Sequence, residues 1–114
     1  MRNVGVTGMD KESKYQADLI KKISKMLPDS IVLKNDPNYK QGIPDLLVLE
    51  GDGWATLEVK QHSKAKHRPN QDYYVERMNQ MSYSAFIYPE NEEEILDEMV
   101  GSLKLRRKAR VPKS

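Results

Sequence analysis

Gly42-Ile43-Pro44-Asp45-Leu46-Leu47-Val48-Leu49-Glu50-Gly51-Asp52-Gly53-Trp54-Ala55-Thr56-Leu57-Glu58-Val59-Lys60 is the stretch on which the reading of this chain turns. Two apolar runs, residues 46 to 49 and 54 to 57, flank Glu50-Gly51-Asp52-Gly53, whose Gly and Asp content is that of a hairpin loop. Whether that loop counts four residues or two, the register sets Leu49 opposite Trp54. Counting back along both strands then sets Asp45 opposite Glu58.

Directly opposed residues on antiparallel strands hold their Cβ atoms about 5 Å apart, and like charges there are destabilising unless a cation lies between them. Strand alternation places Asp45, Thr56, Glu58 and Lys60 on one face of this hairpin. The other face reads Leu46, Val48, Ala55, Leu57 and Val59, apolar throughout, and is the side expected to pack on helices. Two carboxylates are the protein's usual share in holding Mg²⁺, which keeps its other positions for water and phosphate. A lysine beside such a centre is a point charge able to orient water or phosphate. The chemistry this donor set implies is phosphodiester hydrolysis.

Pro44-Asp45 followed by Glu58-x-Lys60 resembles the PD-(D/E)xK nuclease signature. The wider text is similar to one branch of that superfamily, the virus-type replication-repair nuclease (VRR-NUC) domain. The resemblance rests on Glu12 in the first helix, Gly-x-Pro-Asp at 42 to 45, Glu-Val-Lys at 58 to 60, Gln71 on the next helix and Tyr-Pro-Glu-Asn at 88 to 91. It implies an α/β fold with a central mixed β-sheet flanked by helices, the restriction-endonuclease-like core. It also implies a Mg²⁺- or Mn²⁺-dependent deoxyribonuclease in which Asp45, Glu58 and the main-chain carbonyl of Val59 bind the metal. Lys60 then positions the attacking water, Gln71 supports the active site, and Glu12 contributes to the metal side. By the same resemblance, a domain of this size is expected to work as a homodimer on branched or structured DNA, as a junction-resolvase-type endonuclease. The alternatives are a non-catalytic DNA-binding module of the same fold, against which an intact Asp45, Glu58 and Lys60 weighs, and a protein-interaction domain whose acidic helix and basic tail are its contact surfaces.

The 114 residues suffice for one domain with its own core. Cysteine is absent, which excludes a disulfide framework and thiolate zinc sites and fits a reducing, cytoplasmic setting. No apolar run has the length of a membrane span, and no signal-peptide-like segment opens the chain. Charge is unevenly placed. Residues 102 to 114 carry six Lys and Arg and no acid, against 19 basic and 17 acidic residues in the whole chain, so the remainder is net negative. That asymmetry predicts a basic C-terminal tail from 102 onward, with Lys104, Arg106 and Arg107 as DNA contacts, after a nuclease domain over 10 to 101 and a flexible leader over 1 to 9.

Tyr15, Leu19, Ile23, Met26 and Leu27 predict a helix from Glu12 that Pro28 ends. Glu12 is either an inward-facing group at the metal side or a first-turn acid favoured by the helix dipole. A strand is expected over 31 to 33, and a polar loop leads to the motif, where Pro44 forces an extended approach to Asp45. After Lys60 the loop 61 to 69 carries Lys64, Lys66 and Arg68, the expected phosphate contacts, with His62 and His67 solvated or on phosphate. Asn70 is the expected cap of a helix running to Met81, followed by a strand over 84 to 88 and a last helix over 90 to 100.

Overall fold

The computed structural model describes the backbone of residues 4 to 110 and the side chains of residues 11 to 105. Its elements are α1 (Val4–Met26), β1 (Ile31–Lys34), β2 (Leu46–Glu50), β3 (Gly53–Val59), α2 (Pro69–Met81), β4 (Tyr83–Ile87), a single 3-10 turn (Pro89–Asn91) and α3 (Glu92–Arg110). The strands form one mixed sheet in the order β1-β2-β3-β4. β1, β2 and β3 run antiparallel in sequence, whereas β4 lies parallel to β3, and the parallel pair needs the crossover that α2 supplies. The architecture is α/β, a central mixed sheet flanked by helices.

Within the hairpin, Leu49 faces Trp54 and Leu46 faces Leu57. This is the expected register, and it fixes which side chains share a face. Leu46, Val48, Ala55, Leu57 and Val59 are fully buried beneath α1 and α3, against Leu19, Ile23, Leu96 and Met99. The opposite face of β3 and β4 is also covered, because α2 lies across it. Thr56 donates to Ser84 Oγ at 2.8 Å and reaches Met78 Sδ at 3.5 Å, so the polar face is closed by a helix and its hydroxyls are satisfied there. β1 stays outside this cover as an edge strand, with Ile31 57% and Leu33 46% exposed.

Both ends of the chain depart from expectation. α1 takes in residues 4 to 9, read from sequence as a leader. Once a helix is nucleated, each added residue gains a hydrogen bond without a new nucleation cost, so a stretch without periodicity can still join it. At the other end α3 passes straight through Gly101, and Leu103 is 2% exposed within the core. Leu96, Met99 and Leu103 continue one helical stripe that the charge run concealed. The expected basic tail therefore begins inside a packed helix; residues 1 to 3 of the leader and 111 to 114 of the tail lie outside the described residues. Glu90, expected in the last helix, sits in the 3-10 turn, where Asn91 Oδ1 accepts from Tyr88 N–H at 2.9 Å and Asn91 Nδ2 donates to Phe86 O at 3.1 Å.

Candidate active site

The loop between β1 and β2 aims Asp45. Asn35 brackets it, donating its backbone N–H to Asp45 O at 2.8 Å and its side-chain amide to Pro44 O at 2.8 Å. Pro44 is fully buried, and an Asx turn formed by Asp36 on Asn38 N–H folds the loop tip back. Gly42 has φ +94°, and a Cβ there would stand 2.7 Å from Asn70 Cγ on α2. Only glycine suits both the conformation and the approach, so Gly42 is where this loop docks on the helix.

One position beyond the last ladder pair, Asp45 turns across to β3, and its Oδ2 accepts the Val59 N–H at 2.8 Å. Glu58, on the same face, is 4% exposed and accepts at Oε2 from Gln71 Nε2 at 3.0 Å. Lys60 Nζ donates to Gln71 Oε1 at 2.8 Å and to the Lys66 carbonyl at 2.9 Å, and stands 3.8 Å from Glu58 Oε2. A single carboxamide thus joins the acid to the base, its nitrogen on the carboxylate and its oxygen on the ammonium. The same Gln71 oxygen accepts the Arg68 N–H at 2.9 Å, capping the first turn of α2. Arg68, not Asn70, is the cap position, because Pro69 opens the helix and Asn70 falls inside its first turn, its side chain lying close to Gly42.

Burial dominates the electrostatics. Glu58 is pushed up to about 8 by desolvation first and by the Asp45 charge second, with Lys60 pulling the other way. Asp45 is also raised by burial, against the lowering effect of the Val59 N–H. Glu12 is half-buried and raised by desolvation and then by Asp45, which places it within electrostatic reach of the pair. Two buried carboxylates, one of them raised by the charge of the other, are a donor set suited to a hard divalent ion. Among the described residues no group of three or more His, Cys, Asp or Glu is placed to hold a metal ion. These groups open on a cleft of about 220 Å³ lined by Asp45, Glu58, Arg68, Asn70, Gln71 and the Gly42 loop. At about 30 Å³ per water, that is room for a phosphate group and several waters.

The structure brings Asp45, Glu58, Lys60 and Gln71 together, with Glu12 nearby and Arg68 at the rim. Lys64 and Lys66 are exposed on the loop beside it, whereas Lys104 stands on α3, across the sheet from α2. The side chains of Arg106 and Arg107 lie outside the described ones. Trp54, on the site face by strand parity, sits at the far end of the hairpin from Glu58.

No family model matches the chain, and no curated protein does. A solved VRR_NUC domain does match, with a TM-score of 0.54 and 29% sequence identity, over 68% of this chain and 83% of that one. The chain has the VRR-NUC fold. That fold is a nuclease-type domain of the PD-(D/E)xK class, which generally uses divalent metals and acts on DNA. No helix among the described residues is long and apolar enough to cross a membrane.

Two features of the site were not read from the sequence. The Gly42–Asn70 docking had a signal in the glycine three positions before Asp45. The stacking of His67 on Phe86 had one as well, since Phe86 alternates with Ser84 onto the site face.

Proposed function

We propose that this chain is a Mg²⁺- or Mn²⁺-dependent deoxyribonuclease, a structure-specific endonuclease of junction-resolvase type that works as a homodimer on branched DNA in the cytoplasm. The observation that carries the hydrolytic reading is the buried Asp45 and Glu58 pair, joined through Gln71 to Lys60 at the floor of an open cleft. Branched DNA, dimerisation and location rest on the VRR-NUC likeness and the absence of cysteine alone.

In this reading Asp45, Glu58 and the Val59 carbonyl would hold the cation, with Glu12 contributing negative charge nearby. The bound ion supplies Lewis-acid polarisation of a phosphate oxygen and lowers the pKa of a coordinated water. The remaining work falls to the chain's own groups. Lys60 orients the attacking water and offsets charge that builds on the phosphate oxygens as one ester oxygen departs with its bonding electrons. Gln71 keeps Lys60 and Glu58 in fixed relation, and Arg68 with Lys64 and Lys66 holds the phosphate backbone along the cleft. The nuclease unit expected over residues 10 to 101 extends on this reading at least through Leu103, which α3 buries in the core, with Lys104, Arg106 and Arg107 as further DNA contacts.

A cleavage panel of linear duplex, single-stranded, flapped and four-way DNA, with Mg²⁺, with Mn²⁺ and with chelator, tests the reading, alongside light scattering for the dimer. Metal-dependent products that peak on the branched substrates are expected. Absence of products from every substrate in both metals would overturn it.

A further inference from the structure

His67 has no part in the chemistry above, yet it is held on two sides. Its ring lies on Phe86 with centroids 3.8 Å apart and planes 14° from parallel. The Asp72 carboxylate, in the first turn of α2, meets its Nδ1 at 3.0 Å. Phe86 is the register partner of Glu58 across the parallel ladder. The residue before His67 is Lys66, whose carbonyl accepts from Lys60 Nζ. One end of the basic loop is thus fixed to β4 and to α2 through a single side chain, and the peptide oxygen next to that anchor touches the site lysine.

An ammonium carries three N–H donors in tetrahedral arrangement. Lys60 commits one to Lys66 O and one to Gln71 Oε1, and fixing two directions fixes the third. Without the Lys66 acceptor the head group is free to turn, and the Glu58 carboxylate is only 3.8 Å away. A head group free to turn no longer presents a directed donor.

We propose that His67 is a positioning residue for Lys60: its stack on Phe86 and its pair with Asp72 hold the Lys66 carbonyl where it aims the lysine's third N–H. The consequence for turnover rests on the hydrolytic reading, whereas the consequence for Lys60 itself does not.

The test uses the full chain with H67A, H67F and D72N, each checked for folding by circular dichroism. First, an amine-reactive ester is applied without DNA or metal, and labelling of Lys60 is followed by peptide mass spectrometry. Lys60 should label slowly in the wild type and in H67F, which keeps the stack, and severalfold faster in H67A, with D72N between them. Second, at saturating branched DNA with Mg²⁺, H67A should lose between about tenfold and about a hundredfold in turnover, the loss expected from a displaced group. Its Kd for DNA should be unchanged, and H67F should recover most of the turnover. If H67A does not fold, F86L and D72A each remove one of the two anchoring interactions and should raise Lys60 labelling in the same way. Unchanged Lys60 labelling in the folded variants, or a loss confined to Kd, would overturn the proposal. A wild type that cleaves no DNA overturns the hydrolytic reading alone, because the labelling still decides whether His67 holds Lys60.

Discussion

The Gln71 carboxamide oxygen lies 2.8 Å from the Lys60 ammonium while its nitrogen lies 3.0 Å from the Glu58 carboxylate, so one side chain spaces the two charges that the sheet alternation sets side by side. Direct approach between them is thereby limited to 3.8 Å. Gln71→Glu should be more damaging than Gln71→Ala, because it replaces the donor to Glu58 with a third carboxylate. Steady-state cleavage of a four-way junction checks this. The expected order is wild type, then Gln71→Ala lower by about tenfold to about a hundredfold, as for supporting residues of metal sites, then Gln71→Glu. Equal activity in all three would remove Gln71 from the site.

Asp45→Asn keeps an acceptor for the Val59 N–H and deletes the charge. Cleavage should fall to background while the melting temperature in chelator above about pH 8, where both carboxylates are charged, holds or rises, since one of two buried like charges is gone. Glu58→Gln should behave the same way. Cleavage assays paired with thermal melts report both halves of the outcome.

Acid stabilises the metal-free fold. Glu58 is raised from 4.5 to about 8 by burial and by Asp45, so between those limits the native state binds a proton that the unfolded chain has released. Stability is therefore fully present below about pH 4.5, declines as pH rises to about 8 and is flat above, as far as this group decides it. Urea melts in chelator across that window should show the decline, and Glu58→Gln should remove it. Mg²⁺ should raise the melting temperature more at pH 8 than at pH 6, because it replaces the protons released there.

Deleting the chain from residue 102 removes Leu103, a core side chain only 2% exposed. The cost should approach that of a large-to-small core substitution, about 2 to 5 kcal/mol. Ending the chain after Leu105 spares it while still removing five of the six basic residues beyond Gly101. Denaturant titration should separate the two truncations. The milder one should cleave at low salt with weaker DNA binding and a salt slope shallower by about 0.9 for each duplex phosphate no longer neutralised.

Gly42→Ala forces a Cβ into Asn70 at a φ of +94°. The expected loss is about 1 to 3 kcal/mol of stability, with a larger fall in cleavage, because the displaced loop carries Asp45. Asn70→Ala should recover only the part owed to Cγ and Nδ2, since the Cβ it keeps still stands 2.9 Å away, and a double-mutant cycle measures that part.

The hairpin was legible because alternation with period two and a Gly-Asp loop leave little choice of register, and the Leu49–Trp54 pairing follows from them. The same parity separated Leu46, Val48 and Leu57 from the Asp45 and Glu58 face. What was hidden depended on elements meeting in space. The sequence offers Asn70 as a helix cap by residue type, yet it falls inside the first turn of α2, its side chain lying close to Gly42, 28 positions earlier. Gln71 was legible as a site residue only through the family resemblance; its residue type does not show that it caps Arg68 and with the same oxygen reaches Lys60. The charge run Lys104 to Lys108 masks the end of the last helix, although Leu103 keeps the period of Leu96 and Met99.

Because the oxygen that closes the first turn of α2 also receives the Lys60 ammonium, fraying of that turn and disarming of the cleft are one event. The helix end becomes a fuse: whatever fraction of molecules has it open at a given instant is the fraction whose lysine is unaimed. Amide exchange at Arg68, whose N–H donates to that oxygen, therefore reports without any substrate what share of the population is armed.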